Sequence, residues 1–471
     1  MSTTKLLRFH GAFISFAIAF ATTQAHGAFT DPASIQSFLH ENFGNTNCGM
    51  VIGLLDERGA RVFHAGKLDN GTDQEVNADT VFEIGSITKT FTSLLALEMA
   101  KRGELSLDDP VTKYLPLSVK VPSQDGKQIT ILNLAVQDSG LPFNPTNFIG
   151  TNDEEHYDSY TTERMYSFLS GYALKDPPGT KFQYSNLGMS LLGHIQERVS
   201  KANFESLVLE RICRPLQMEN TFVTAPSALK SRMAVGHDEK GNRAPDFALQ
   251  VMAPAGALHS TVNDLLKYLA AEIGLTNFPL SQLMQQSQVI RHTDSPDLGK
   301  TAMPWVDQNA FSPPGTELLG HAGGTLGSVA FIGFDKKQRR GVVILSNQRY
   351  CHSSTVGWTI LQGLPLTKEN YTNMVLEFAG IGAALGVDKE TQLLQITKVF
   401  PQSPAFNGGL TNGLLIQKIN DQSTLGKTPD ACAQLIRGPV GSKVRLEIIN
   451  PVRNETNTVE LTRQKFITSS G

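Results

Sequence analysis

A serine and a lysine stand three positions apart in FEIGSITKTF, residues 82–91. On a helix, positions i and i+3 share a face, so Ser86 and Lys89 can point the same way. A serine hydroxyl is a poor nucleophile at neutral pH and needs a base within hydrogen-bond reach. The start of a helix disfavours a proton on a nearby amine, which leaves lysine free to be that base, and its backbone N–H groups stabilise a developing oxyanion. An N-cap serine followed by a surface lysine gives the same spacing, so other stretches must decide. In PPGTKFQYSNLGMSLLG, residues 177–193, Tyr184 and Asn186 flank Ser185 just before a helix. A tyrosine there could shuttle a proton to a leaving group, and an asparagine amide could hold both the lysine and a substrate carbonyl. A core tyrosine with a capping asparagine is the alternative. HAGGTLGSVAF, residues 321–331, places a histidine and small residues that allow close backbone approach ahead of a strand; a glycine-rich turn is its alternative.

These stretches need a frame to meet. GMVIGLLDERGARVFHAG, residues 49–66, has two apolar runs parted by turn residues, and GSVAFIGFDKKQRRGVVILSN, residues 327–347, repeats the pattern with a charged turn. Two hairpins at opposite ends of one region predict an antiparallel sheet closed by both. Between them the chain reads as mostly helical: Thr88 to Arg102 carries Phe91, Leu94, Leu95 and Met99 on an apolar face and stops at Gly103, and a second helix begins near Leu187. The expected class is α/β (α+β), an antiparallel sheet flanked by helices with a helical insertion. After about Gly363 a polar stretch, LPLTKENYTNM, leads to three new strand-like runs, LLQITKVF, GLLIQKIN and KVRLEIIN. A small β-rich domain is expected there.

The chain of 471 residues is too long for one compact core. A formal charge of −3 gives no basic field to hold a phosphate backbone, so nucleic acid is not an expected partner. The first segment carries Lys5 and Arg8, an apolar run from Ala12 to Ala21, then small residues, the order of a secretory leader. The mature chain would begin between His26 and Phe29, and no later run approaches the roughly 20 apolar residues that span a bilayer. An exported protein, periplasmic or extracellular, with no transmembrane segment in the mature chain is expected. The four cysteines, Cys48, Cys213, Cys351 and Cys432, fit no zinc template. Cys48 precedes the first strand and Cys351 follows the last of the sheet, so antiparallel pairing of those strands would bring them together; a Cys48–Cys351 disulfide is one expectation and buried free thiols are the other. The expected division is a leader at 1–27, a catalytic domain at 28–365, a linker at 366–374 and the β-rich domain at 375–466.

Taken in order, Ser86-x-x-Lys89, Tyr184-Ser185-Asn186 and the His321 strand resemble the serine β-lactamase and penicillin-binding protein superfamily, whose signature is S-x-x-K, Y-x-N and K-T-G or H-T-G. The resemblance spans nearly all of residues 30–362 and includes GELSLDDPVTKYLP, SGLP, PLQMENTFV and APAGALHSTVNDLLKYL. The Tyr-Ser-Asn element points to the branch with class C β-lactamases, DD-peptidases with an H-T-G motif, and related esterases and D-amino-acid peptidases. It implies an acyl-enzyme on Ser86, proton work shared by Lys89 and Tyr184, and an oxyanion hole from the N–H groups of Ser86 and Gly324. Asn186 would orient Lys89 and the substrate amide, with His321, Gly323 and Thr325 along the substrate. It implies no metal or organic cofactor. His321-Ala322-Gly323 departs from K-T-G by lacking a permanent cation and a hydroxyl, and histidine is only partly charged near neutrality. A peptide, amide or ester substrate is therefore expected over a β-lactam, with a D-Ala-D-Ala type peptide foremost; an esterase or weak β-lactamase and a non-catalytic binding protein are the alternatives. A second departure is Gln137-Asp138, in a stretch that often reads His-Thr.

LEFAGIGAALGV, residues 376–387, with the strands that follow, resembles a PDZ domain. The resemblance implies a groove that binds a protein C-terminal tail by strand addition, its carboxylate held by the loop Gly380, Ile381, Gly382 and Ala383.

Overall fold

The computed structural model describes residues 29–147, 159–366 and 379–465, except 239, 248, 296–298, 308–314, 389, 401–402, 426, 428, 437–440, 452 and 454. The expected leader and residues 367–374 of the expected linker lie outside the described residues.

The first hairpin is made by β1 (Gly49–Asp56) and β2 (Gly59–Gly66), with Gly59 at φ +107° completing the turn. Further strands follow at β3 (His292–Ser295), β4 (Gly299–Thr301), β5 (Val306–Asp307), β6 (Leu318–Gly324), β7 (Val329–Asp335) and β8 (Arg340–Ser346). They form one antiparallel sheet of eight strands in the order β2-β1-β8-β7-β6-β5-β4-β3. β1 pairs with β8, Met50 opposite Ser346 and Leu55 opposite Gly341, so the two ends of the region close the sheet as the hairpins predict.

Both faces of this sheet are covered. Met50, Ile52 and Leu54 of β1 enter one apolar cluster while Val51 and Leu55 enter another, and β8 repeats the alternation with Val342 and Ile344 against Val343 and Leu345. That is the period of two expected of a strand between two cores. The flanking helices are α1 (Pro32–Phe43), α2 (Thr88–Lys101), α3 (Asn186–Ser200), α4 (Val262–Glu272) and α5 (Ser353–Leu361). α1 and α5 supply Ile35, Phe38, Leu39, Val356 and Ile360 to the first cluster; α2, α3 and α4 build the second. Gly53 shows how closely α4 lies on β1, because a Cβ there would stand 2.5 Å from Val262 Cγ1. Every residue of α2 from Thr88 to Met99 is buried, so this helix runs through the core instead of along its surface.

Beyond residue 378 a second sheet has its own core. Strands β9 (Ala383–Val387), β10 (Leu394–Val399), β11 (Leu415–Ile419), β12 (Lys443–Asn450) and β13 (Glu455–Thr462) follow in that order, with α6 (Pro429–Ile436) beside them. Leu394, Ile396, Ile416, Val444 and Leu446 pack inside it. The three strand-like runs of the sequence are β10, β11 and β12.

The expected disulfide is not made. All four cysteines are free and buried. The pairing of β1 with β8 does bring Cys48 and Cys351 into one apolar cluster, but as thiols whose pKa burial pushes up to about 11 and about 12. Among the described residues, no helix is long and apolar enough to cross a membrane.

Candidate active site

Ser86 lies in the 3-10 turn Gly85–Ile87 that leads into α2, and its side chain keeps partial access to solvent. Lys89, one turn on, has none. Its Nζ is 2.8 Å from Ser86 Oγ and donates to the Ala255 carbonyl at 2.7 Å. Burial holds the Lys89 pKa well below the ordinary lysine range, so the amine is favoured in its neutral form. Ala255 belongs to the short helical turn Ala253–Gly256, locked to α2 by Thr92 Oγ1 donating to the Pro254 carbonyl at 2.7 Å. α3 crosses the same turn at Gly193, where a Cβ would come within 2.1 Å of Pro254 Cγ.

Tyr184 is presented by the loop before α3, and Gln137 clamps that loop twice. Its carbonyl accepts from Gln183 N at 2.6 Å and its Oε1 accepts from Ser185 N at 2.7 Å. Ser185 then caps α3 by accepting from Gly188 N at 2.8 Å. Lys89 Nζ stands 4.8 Å from the centre of the Tyr184 ring, and the Tyr184 hydroxyl is hydrogen-bonded to Ser86. Burial raises the phenol pKa, opposed by that hydrogen bond. Phe143, partly exposed, stacks on the tyrosine with ring centres 5.8 Å apart. Asn186 begins α3 beside them, but its side-chain amide donates to Asn144 Oδ1 at 3.1 Å. The expected Asn186–Lys89 contact is replaced by the Ala255 carbonyl.

β6 forms the opposite wall, and glycine lets it approach. A Cβ on Gly323 would fall 2.0 Å from the Ile84 carbonyl oxygen, and one on Gly85, at φ +49°, would fall 2.6 Å from Gly324 N. Strand and serine turn therefore meet backbone to backbone. His321 is buried, its ring centre 6.4 Å from that of Tyr184. Its Nδ1 lies 2.7 Å from the Ala322 carbonyl oxygen; because a carbonyl only accepts, Nδ1 carries the proton. Burial, with a proton on Lys89 acting the same way whenever it is there, pushes the imidazole pKa down to about 4, opposed by the Ala322 hydrogen bond. Thr325 does not serve the substrate side as expected. It ends the strand, donating its hydroxyl to Glu83 while its Oγ1 accepts from Ser328 N at 3.0 Å.

Sequence reasoning thus brought Ser86, Lys89, Tyr184, Asn186, His321, Gly323 and Gly324 to one place; it missed Ala255, Phe143 and Glu83 and gave Gln137 no role. Ala255 acts through its carbonyl, which no side-chain pattern announces, although APAGALHS was matched. The Gln137-Asp138 departure has its structural role here: Asp138 accepts from Asn133 Nδ2 at 2.8 Å and faces His292 Nε2 at 3.2 Å. Among the described residues, no three His, Cys, Asp or Glu side chains gather as metal ligands would. In the second sheet, the Ile381 carbonyl accepts from Ala405 N at 2.8 Å and the Gly382 carbonyl from Phe400 N at 3.1 Å, with Gly380 paired to Gln464 and Ala383 opening β9.

The chain matches the Beta-lactamase family over residues 45–362. A beta-lactamase of Pseudomonas fluorescens is 26% identical over 339 residues, covering 65% of this chain and 90% of the relative. A D-alanyl-D-alanine-carboxypeptidase/endopeptidase of Escherichia coli (strain K12) is 30% identical over 231 residues, 49% of this chain and 58% of the relative. The solved beta-lactamase/D-alanine carboxypeptidase from Yersinia pestis superposes with a TM-score of 0.59 at 21% identity, covering 70% of this chain and 98% of that one. With the serine turn, the buried lysine and the tyrosine loop mounted on this sheet, the chain belongs to the Beta-lactamase family of serine hydrolases.

Proposed function

We propose that the protein is an exported hydrolase that cleaves a peptide, amide or ester bond through an acyl-enzyme on Ser86, with D-Ala-D-Ala type peptides the foremost substrate class and small esters the second. The observation that carries this reading is the dry Lys89 amine 2.8 Å from Ser86 Oγ. A neutral amine that donates one N–H to the Ala255 carbonyl keeps its lone pair for the serine proton. Ser86 Oγ then attacks the substrate carbonyl, and the N–H groups of Ser86 and Gly324 receive the oxyanion. Tyr184, its phenol held neutral by burial, passes a proton to the departing group and later takes one from the attacking water. A fold retained for binding alone has no need of all these groups.

Intact-protein mass after a short, acid-quenched incubation with p-nitrophenyl acetate or benzylpenicillin tests it. An acyl adduct on the native protein that is missing from Ser86→Ala supports the reading. Equal ester or peptide turnover by Ser86→Ala sinks it.

The second sheet supports a PDZ-like role. β9 is an edge strand with α6 beside it, preceded by the Gly380–Ala383 loop in which Gly382 adopts φ +70°. A protein C-terminus would add to β9 as a further strand, its carboxylate on the loop's N–H groups. Peptides that bind with a free C-terminus and lose binding as C-terminal amides are the expected result; indifference to amidation would rule this mode out.

A further inference from the structure

We propose that the site selects substrates whose departing group is uncharged, and that His321 reads a hydrogen-bond donor on that group instead of a carboxylate. The inference rests on the hydrolase reading above and reorders its substrate classes, placing amides and small esters with neutral departing groups ahead of D-Ala-D-Ala peptides that end in a free carboxylate.

The geometry of β6 carries it. With the proton on Nδ1 committed to the Ala322 carbonyl at 2.7 Å, Nε2 of His321 presents a bare lone pair. That nitrogen has no hydrogen-bond partner among the described residues. Next along the strand Ala322 offers only a methyl group, and the Thr325 hydroxyl is already spent on Glu83. No lysine or arginine other than Lys89 makes a hydrogen bond, ion pair or ring contact with Ser86, Tyr184, Asn186, His321 or Thr325 among the described residues. Lys89 itself is enclosed and bonded to Ser86 and Ala255.

A carboxylate set beside the scissile bond would lose water and meet a lone pair, an aromatic wall of Tyr184 and Phe143 and, past Thr325, the Glu83 carboxylate. None of these groups returns the lost solvation, so beside them the charged form is disfavoured. An amide N–H or a hydroxyl in the same position finds Nε2 as its acceptor. The burial that keeps the imidazole neutral at physiological pH agrees with this assignment.

The test compares matched pairs that differ only in the charge of the departing group: an N-acyl-D-Ala-D-Ala acid against its carboxamide, and 4-acetoxybenzoate against 4-acetoxybenzamide. Rates of Ser86 acylation are read by intact mass. The neutral member of whichever pair reacts should be favoured in kcat/KM by about tenfold or more, the effect of one buried polar group left without its partner. In His321→Lys the preference should move toward the acid. Equal rates, or preference of the native protein for the acid, overturn the inference while leaving the acyl-enzyme reading intact. If no member of either pair acylates Ser86 in the folded protein, the hydrolase reading falls and takes this inference with it.

Discussion

The wall of the site made by α2 and the wall made by β6 bring different things to Ser86. α2 contributes a reactive side chain, Lys89, whose chemistry is changed by its surroundings: the amine is buried and its pKa falls well below the ordinary range. β6 contributes mostly backbone and the absence of side chains, since Gly323 touches the serine turn only because it has no Cβ, and Ala322 and Gly324 leave open space. Its one polar side chain, His321, is made neutral by the same burial. One wall is tuned by desolvation and the other by shape, and mutations should separate the two.

The largest effects should come from the α2 wall. Ser86→Ala and Lys89→Met are each expected to lower kcat by about 10⁴-fold or more while leaving the fold in place, as removal of a member of a nucleophile and base pair does; steady-state kinetics beside circular dichroism would check it. A kcat within tenfold of the native value in Lys89→Met would mean that the base is elsewhere.

On the β6 wall the contrast lies between neighbours. Gly323→Ala forces a methyl against the Ile84 carbonyl, 2.0 Å from where its Cβ must go. It should displace the strand from the serine, costing about 100-fold in kcat/KM and roughly 1–3 kcal/mol of stability. Gly324→Ala meets nothing within 4 Å and should unfold within about 0.5 kcal/mol of the native protein. Similar unfolding curves for the two variants would remove shape as the property of this wall.

Another variant tests a desolvated group away from Ser86. Glu272, at the end of α4, accepts from Gln288 Nε2 at 2.6 Å and is pushed by burial from 4.5 up to about 8. Its folded pKa is raised, so the folded chain holds a proton that the unfolded chain releases. Stability should therefore fall as pH rises from about 4.5 to about 8. Urea unfolding across that range should show the slope in the native protein and a flatter curve in Glu272→Gln.

The smallest loss of activity should come from Gln137→Leu, which leaves the buried Ser185 N–H without its acceptor. A loss of roughly 1–3 kcal/mol is expected, with a several-fold fall in kcat as the Tyr184 loop loosens. Thermal unfolding and kinetics of the same preparation would show both.

What the sequence determined by itself was whatever depends on local spacing. Ser86 and Lys89 share a face because three positions on a helix do so, Gly103 ends α2, and the alternation in residues 49–66 and 327–347 specifies two hairpins whose strands close one sheet. The tertiary structure decided everything that depends on distant atoms. The lysine is dry because the Ala253–Gly256 turn and the Tyr184 ring close over it, and its second partner is a carbonyl 166 positions away. Asn186 and Thr325, correct in type and near the site in sequence, bond to Asn144 and Glu83 because their turns aim them there. Cys48 and Cys351 were brought together by strand pairing yet remain thiols. Spacing fixes which residues can share a face; desolvation, hydrogen-bond partners and close approach arise only when separate elements pack, and these set the protonation states on which the proposed chemistry depends.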